Sequence, residues 1–318
     1  MAEITGRFAP TPSGRLHLGN IACAMLCWLS ARCRGGRMLL RIEDVDGPRC
    51  PRGLTDKCLS DLDRLGFDWD GATVFQSERG DVYQAALDRL AAKGLTYPCF
   101  CTRAKLHSEA APNLGDTQYI YAGTCRGLSA EEAARLKALR TPAIRLRVPD
   151  EMIAFTDGLC GTVRENLARE CGDFILRRSD GLFGYQLASV VDDALSGVTE
   201  VVRGADILTA TPRQIFLQRC LGFPTPAYWH IPLLTDAAGR RLAKRDGDTD
   251  MDTLLNRHSA GEILGALAFA YGILPEYVPA SLSELLSRFS WEKVRKKSGG
   301  TVRLPEGFPK TQQDNQRI

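Results

Sequence analysis

The sequence predicts an α/β protein built on a doubly wound parallel sheet of the Rossmann type, with an insertion and a small helical subdomain. The first observation is the order strand, glycine-containing turn, helix, strand within residues 1–46, because such a βαβ unit begins a nucleotide-binding parallel sheet. The second is that the α/β alternation returns after residue 173. The third is composition: 318 residues, 44% hydrophobic and 25% charged, are typical of a globular protein with a sizeable core.

Residues 1–98 are predicted to form the first half of the sheet domain. A short strand at residues 4–8 ends in a turn rich in proline and glycine. Apolar residues then recur at spacings of three and four over residues 18–29, which predicts a helix. The next strand is residues 38–42, and two helices at 53–65 and 81–93 enclose a strand at 74–77.

Four further regions are predicted along the rest of the chain. Residues 99–172 change character, with paired cysteines and a charged helix, and we interpret them as an insertion between two halves of the sheet domain. Residues 173–247 supply the second half, residues 248–292 a small helical subdomain, and the basic, polar residues 293–318 are expected to be disordered. The predicted strands are 144–148 and 161–163 in the insertion and 174–177, 185–193, 199–203 and 230–234 after it, with helices at 129–139 and 212–221.

Charge and hydropathy exclude several classes of protein. Lysine plus arginine is 41 against 38 acidic residues, so the net charge of +3 permits a nucleic-acid partner without indicating one. The longest apolar run, residues 21–31, is shorter than the roughly 20 residues of a membrane span. The start shows no basic region followed by an apolar core, so we expect no membrane association and a cytoplasmic location. In that compartment the 11 cysteines are expected to be reduced, buried or metal-bound.

The first motif that carries chemistry is Pro-Thr-Pro-Ser-Gly-Arg-Leu-His-Leu-Gly-Asn, residues 10–20, which leads from the first strand into the first helix. Amide groups at a helix N-terminus favour a phosphate, and glycine lets the backbone approach it closely. His17, one turn in, can donate to phosphate oxygens. A lone His-x-Gly turn is more often a plain strand-to-helix connection.

The second motif is the basic segment Arg-Arg-Leu-Ala-Lys-Arg-Asp, residues 240–246, after the last apolar strand. A cationic loop at that position can neutralise charge that develops on a leaving pyrophosphate. Taken alone, such a run is usually a solvated surface. Its placement at the far end of a sheet that began with the first motif favours the catalytic interpretation.

A third constellation consists of Arg7, Glu43, Tyr185 and Arg203, each at or near the end of a predicted parallel strand. Ligands of such sheets bind at the carboxyl ends of the strands. Fork-shaped arginines, an acid and a phenol suit a ligand that carries two carboxylates and an ammonium group. Any one of these residues by itself is more often a surface charge or a core-edge tyrosine.

The fourth is a cysteine cluster, Cys99 and Cys101 followed by Cys125. Structural zinc takes four ligands, usually cysteine and histidine, so three cysteines are an incomplete set. His107 could complete it on chemical grounds, and three buried free cysteines are the alternative without a metal. A catalytic thiol is less favoured because no Cys-x-x-Cys or cysteine–histidine pairing is evident.

These motifs together resemble the class I aminoacyl-tRNA synthetases of the glutamyl type. Residues 7–20 match the first family signature, with Asn20 in place of its last histidine, and residues 240–246 resemble the second, with Arg241 and Ala243 in place of lysine and serine. Up to about residue 290, the chain is similar to the glutamyl-Q tRNA(Asp) synthetases, short members of that family. Only about 70 residues follow Asp248, too few for the large anticodon-binding region of an ordinary glutamyl-tRNA synthetase.

The resemblance implies that L-glutamate is activated with ATP and Mg²⁺ and is transferred to the queuosine base in the anticodon of tRNA(Asp), by a protein we expect to be a monomer. It implies one structural zinc ion, with Tyr121 as an unusual fourth ligand. The implied residues are Arg7, Phe8, Ala9, Pro10, Thr11, Glu43, Tyr185 and Arg203 for glutamate, His17, Gly19, Asn20 and Lys244 for ATP, His17 and Lys244 for catalysis, and Cys99, Cys101, Tyr121 and Cys125 for zinc.

Two other functions stay open at this point. One is a shortened glutamyl-tRNA synthetase that charges the 3′ end of the tRNA. The other is an inactive paralogue that binds glutamate or RNA as a regulator, against which the presence of His17, Glu43, Arg203 and Lys244 argues. Several basic residues could contact tRNA phosphates: Arg32, Arg34, Arg37, Arg177 and Arg178. Scattered arginines are, however, usually just solvated.

Overall fold

A computed structural model describes residues 3–102, 120–236, 239, 250–297 and 300–309. Its strands are β1 (Thr5–Phe8), β2 (Arg37–Ile42), β3 (Val74–Phe75), β4 (Thr96–Cys99), β5 (Ala143–Leu146), β6 (Met152–Asp157), β7 (Gly161–Asn166), β8 (Ile175–Arg177), β9 (Glu200–Gly204), β10 (Ala227–Ile231), β11 (Leu233–Thr235) and β12 (Thr301–Arg303). Its helices are α1 (Leu18–Arg32), α2 (Arg52–Arg64), α3 (Gly80–Ala92), α4 (Ala130–Leu139), α5 (Leu167–Glu170), α6 (Tyr185–Leu195), α7 (Ala210–Leu221), α8 (Met251–Arg257), α9 (Ala260–Ala270), α10 (Leu282–Leu286) and α11 (Trp291–Lys297).

Five parallel strands form the central layer. β1, β2 and β3 pair in that order, and β9 pairs with β10. The two groups meet where β9 lies against β1, and the amide of Thr199 donates to the carbonyl of Thr5 over 3.0 Å. All five strands therefore end at the same edge of the layer, where ligands of open α/β sheets bind.

Helices cover both faces of this layer, as the predicted doubly wound fold requires. Successive strand residues point to opposite faces. Phe8, Met38 and Leu40 are buried on the α1 face, in a core that also includes the C-terminal helices. The opposite face packs against α3, α6 and α7 in a second core. The two faces of the sheet are thus buried independently, and the polar residues gather at the strand ends.

The region after β4 is built from antiparallel strands. β4, β5 and β8 form a three-stranded sheet, and β6 and β7 form a hairpin. Strand β6 was not predicted from the sequence, because exposed Met152 and Ala154 are apolar and buried Asp157 is charged, so the alternation of burial is not visible in the sequence. The predicted domain boundaries at residues 98 and 172 remain predictions. The first falls within β4 and the second precedes β8, and both strands belong to one sheet with β5.

Two predicted strands of the second half need correction. Residues 174–177 were assigned to the parallel sheet, but β8 pairs antiparallel with β5. Residues 185–193 were predicted as a strand, and they form α6 instead. Its buried Leu187, Val190 and Val191 recur at spacings of three and four, which is the helical period, and the two adjacent β-branched valines obscured it.

The prediction of disorder from residue 293 onward is wrong for the described part of that segment. Residues 291–297 form α11, and β12 pairs in parallel with β11, with Val302 opposite Leu234. Val294, Val302 and Phe308 are buried in the core on the α1 face. A few widely spaced apolar residues therefore order a segment whose composition is mainly polar. Residues 310–318 lie outside the described residues.

The helical subdomain predicted for residues 248–292 is confirmed as helical where it is described, in α8, α9 and α10. It shares its core with α1, and the hydroxyl of Tyr271 donates to the carbonyl of Pro232 over 2.8 Å. In the described ranges, no helix combines the length and the apolar character needed to cross a membrane.

Burial of β12 predicts a specific loss of stability. We expect Val302→Asp to lower the free energy of unfolding by about 3 kcal/mol, because an unpaired carboxylate would enter the core. The matched control, Thr301→Asp on the exposed side of the same strand, should stay within about 0.5 kcal/mol. Urea unfolding of both variants tests this, and equal stabilities would show that the segment is not packed.

Candidate active site

A buried carboxylate, Asp193 of α6, organises the middle of the site. Its Oδ1 accepts from Nε of Arg7 at 3.1 Å and from Nη1 of Arg41 at 2.6 Å. Burial by itself would raise the pKa of Asp193, but the two guanidinium groups hold that pKa below its ordinary value. The carboxylate therefore stays ionised, and it neutralises and orients two arginines of neighbouring strands.

Glu43 follows β2 directly and joins the same network. Its Oε1 accepts from Nη2 of Arg41 at 3.2 Å and from the hydroxyl of Ser189 at 2.9 Å. Its backbone amide donates to the carbonyl of Pro10 over 2.9 Å, which ties the end of β2 to the turn after β1. Arg7 and Glu43, predicted to share one site, are thus connected through Arg41 and Asp193.

Arg203 of β9 makes a different set of contacts. Its Nη1 donates to the hydroxyl of Tyr185 at 3.3 Å, which brings these two predicted residues into direct contact. Its other hydrogen-bond partners are neutral groups, and within the described ranges no carboxylate forms an ion pair with it. The guanidinium charge is therefore available to an anionic ligand. Those partners are Oε1 of Gln214 at 2.8 Å, Oγ1 of Thr211 at 2.6 Å and Nε2 of His230 at 3.0 Å.

Tyr185 lies at the first turn of α6 rather than at a strand end. It is 36% exposed, whereas Arg7, Glu43 and Arg203 are each less than 9% exposed. The phenol thus stands at the solvent side of Arg203. A ligand that enters from solvent meets Tyr185 first and Arg203 behind it.

The residues of the turn from Phe8 to Thr11 differ from one another in the burial of their side chains. The side chain of Phe8 is buried in the core on the α1 face, opposite the face that carries Arg7. Pro10 is buried, and Ala9 and Thr11 are more accessible. Of these predicted residues, Phe8 can therefore contribute only its backbone to a ligand at the strand ends.

His17 occupies the N-cap of α1. Its Nδ1 accepts from the amide of Gly19 at 3.1 Å, and the side chain of Asn20 accepts from the amide of His17 at 3.1 Å, so the two side chains complete a capping box. A neutral ring that accepts at Nδ1 carries its hydrogen on Nε2. Asn20, which departs from the family signature, thus holds the turn that presents His17.

Gly19 suits the same geometry. A Cβ at this position would lie 3.0 Å from Cε1 of His17, so a larger residue would require the ring to shift by a few tenths of an ångström. Lys244 and the whole segment 240–249 lie outside the described residues. The residues that follow this segment lie beside the first motif, because Asp250 forms a β-bridge with His17 and the amide of Met251 donates to the carbonyl of Leu16 over 3.0 Å.

Three of the predicted zinc ligands form a compact cluster. The Sγ atoms of Cys99, Cys101 and Cys125 lie within 4.8 Å of one another, and those of Cys101 and Cys125 are 3.6 Å apart. Tetrahedral zinc with sulfur at 2.3 Å would separate sulfur atoms by about 3.8 Å, so the spacing fits such an ion. The three cysteines could therefore hold a metal ion.

Tyr121 is positioned as a fourth donor of the cluster. Its Oη lies 3.5 Å from Sγ of Cys99 and 3.9 Å from Sγ of Cys101, and the amide of Cys125 donates to it over 2.8 Å. His107, the chemical alternative, lies outside the described residues. The guanidinium carbon of Arg145 lies 3.7 Å from the centroid of the Tyr121 ring, a cation–π contact that helps to hold the phenol in place.

Several residues of the site were missed by sequence reasoning. Asp193 and Arg41 stand in apolar stretches, and a charged residue in such a stretch is a detectable signal of a buried pair. Thr211, Gln214 and His230 carry no such signal, because they meet Arg203 only through tertiary contacts.

The arginines suggested as tRNA contacts are largely engaged within the protein. Arg32 pairs with Asp70 at 2.8 Å, and Arg34 pairs with Glu200 at 2.7 Å. Arg178 pairs with an aspartate as well, Asp46 at 3.0 Å. Such pairing reduces the positive potential that these side chains present to phosphates.

Comparison with known proteins agrees with this arrangement. Residues 3–264 match the family model "tRNA synthetases class I (E and Q), catalytic domain". The chain is 51% identical to the glutamyl-Q tRNA(Asp) synthetase of Thiobacillus denitrificans over 77% of this chain and 78% of that protein. It is 46% identical to the one of Symbiobacterium thermophilum over 95% and 96%.

A solved structure shares the fold. The glutamate-tRNA synthetase of Elizabethkingia anophelis superposes with a TM-score of 0.83 at 26% identity, over 96% of this chain and 68% of that one. The predicted α/β fold of the class I synthetases is thereby confirmed. The chain belongs to the class I tRNA synthetases of the E and Q type, a family of ligases, and within it to the group of the glutamyl-Q tRNA(Asp) synthetases.

Proposed function

We propose that the protein activates L-glutamate with ATP to glutamyl-adenylate and transfers the glutamyl group to the queuosine base in the anticodon of tRNA(Asp). The observation that carries the proposal is the pair of contact sets at the carboxyl ends of the strands, one connecting Arg7 with Glu43 through Asp193 and Arg41, and the other connecting Tyr185 with Arg203. The names of relatives that align over most of the chain support the substrates.

Charge in the pocket matches an amino acid with an acidic side chain. Asp193 and Glu43 balance Arg7 and Arg41, whereas Arg203 has neutral partners only among the described residues. A carboxylate of glutamate would contact Arg203 and the phenol of Tyr185, because charge-assisted hydrogen bonds are the strong ones. Glu43 is the carboxylate that would bind the ammonium group of the glutamate substrate.

In the first step, an oxygen of the glutamate α-carboxylate attacks the α-phosphorus of ATP. A carboxyl–phosphate anhydride forms, the bond to the bridging oxygen breaks, and pyrophosphate leaves. His17 at the N-terminus of α1 and Lys244 would stabilise the developing negative charge. Mg²⁺ bound with ATP would neutralise phosphate charge.

In the second step, a hydroxyl of the cyclopentene ring of queuosine attacks the activated carbonyl carbon. The ester bond forms, AMP leaves, and the hydroxyl proton passes to solvent or to the departing phosphate. No side chain of the site is needed as a general base. Positioning of the two reactants by the pocket then contributes most of the acceleration.

The cysteine cluster is proposed to hold one structural zinc ion through Cys99, Cys101, Tyr121 and Cys125. These residues bring β4 together with the segment before α4. A metal there would fix the start of the antiparallel region, and it would contribute to folding rather than to the reaction.

The acceptor can be tested by the position of the transferred label. Incubation with labelled glutamate, ATP, Mg²⁺ and tRNA(Asp), followed by cleavage of the tRNA, is expected to place the label in the anticodon fragment. The matched control is tRNA(Asp) without queuosine, which should stay unlabelled. Label at the 3′ end would instead identify a shortened charging enzyme. No label, together with no glutamate-dependent pyrophosphate exchange, would identify an inactive paralogue.

Zinc content can be tested by elemental analysis of the purified chain. We expect about one zinc ion per chain, and its loss in Cys101→Ser, because three remaining donors bind zinc much more weakly. The control is Cys160→Ser, an exposed cysteine outside the cluster, which should keep the metal. Wild-type protein without zinc after gentle purification would contradict the metal assignment.

A further inference from the structure

His230 of β10 stands directly behind Arg203 and is fully buried. On one side its Nδ1 lies 2.6 Å from Oδ2 of Asp157, at the end of β6. On the other side its Nε2 accepts from Nε of Arg203 at 3.0 Å. The hydroxyl of Thr211 also lies 3.0 Å from that nitrogen. The imidazole therefore links a buried carboxylate to the guanidinium group of the candidate pocket.

These contacts determine the tautomer of the ring. Nη and Nε atoms of an arginine can only donate, so Nε2 of His230 must accept, and Nδ1 must carry the hydrogen. Asp157 can accept that hydrogen because its carboxylate is ionised. Burial would raise the pKa of Asp157, but hydrogen bonds from His230 and from two backbone amides lower it below its ordinary value. Burial also lowers the pKa of His230, which favours the neutral ring.

Asp157 is itself fixed by its surroundings. Its Oδ1 accepts from the amides of Leu159 and Cys160, both at 2.9 Å. The following Gly158 lies on the ring of Trp229, where a Cβ would be only 2.1 Å from Cε3. Its amide donates to the carbonyl of Tyr228 over 2.9 Å. The tip of the β6–β7 hairpin is thus held in register with β10.

We propose that Asp157 and His230 are positioning residues for the candidate amino-acid pocket. Asp157 selects the tautomer of His230, and His230 orients the guanidinium plane of Arg203 without neutralising its charge. A carboxylate in direct contact would orient Arg203 equally well, but it would compete with the substrate carboxylate. The inference rests on the proposed function, since it assumes that Arg203 binds glutamate.

Asp157→Asn provides the sharpest test, because it changes the charge without changing the shape. The two backbone amides at Oδ1 should retain the amide oxygen there, so the new NH₂ group would face Nδ1. The ring would then accept at Nδ1 and carry its hydrogen on Nε2. That hydrogen would face the N–H group at Nε of Arg203, so two donors would oppose each other. We expect the Kd for glutamate, measured by calorimetry on the full chain, to rise about tenfold or more. The KM for ATP should not change.

A double-mutant cycle separates positioning from a general structural effect. His230→Gln keeps an acceptor near the position of Nε2 but has no ring tautomers, so it should weaken glutamate binding only slightly. In that background, adding Asp157→Asn should cause no further loss. An equal loss in both backgrounds would overturn the inference, as would wild-type affinity in folded Asp157→Asn.

Two controls complete the design. Asp173→Asn changes another buried aspartate, whose partners Tyr97, Arg126 and Val148 are outside the pocket, and should leave the glutamate Kd unchanged. Should Asp157→Asn not fold, His230→Leu and His230→Gln decide the matter: equal affinities of those two variants would overturn the inference, and a selective loss in His230→Leu would support it. Wild-type protein that binds no glutamate would overturn the proposed function and this inference with it, a failure visible before any variant is made.

Discussion

The ion pairs that Asp193 makes with Arg7 and Arg41 are the interaction on which the site depends. Each arginine belongs to a different parallel strand, and both side chains leave the sheet on the same face as α6. Removal of one partner of a buried pair costs about 3–5 kcal/mol, because the remaining charge has no solvent to screen it. The helix that carries Asp193 is therefore held at one position over the strands. That position also places Ser189 against Glu43 and Tyr185 against Arg203.

The charges around each arginine explain why Arg203 differs in role from Arg7 and Arg41. Arg7 and Arg41 are satisfied by carboxylates of the protein, so they mainly build the pocket. Arg203 is held by an imidazole, a hydroxyl and an amide, which accept three of its five N–H groups without forming an ion pair with it. The partners of a buried arginine thus determine whether it acts as framework or as a binding group.

Much of this arrangement follows from local sequence patterns. Arg7 and Glu43 were found because each lies at or near the end of a predicted strand, and His17 because a glycine-containing turn leads into a helix. Tyr185 was placed on the correct edge of the sheet but on the wrong element, since Val190-Val191 favours a strand until the helical spacing with Leu187 is considered. What local patterns do not contain is contact between distant segments. Asp157 and His230 are 73 residues apart in the chain. The order of β12 likewise depends on its pairing with β11.

The most direct test of the account is the selectivity of the pocket between L-glutamate and L-glutamine, measured by calorimetry on the wild-type protein. The two ligands have nearly the same shape and differ in the charge of the side chain. Because the charge of Arg203 has no carboxylate partner among the described residues, we predict that glutamine binds at least about thirtyfold more weakly than glutamate. Comparable affinities for the two would contradict the claim that an arginine without a direct carboxylate partner defines this site.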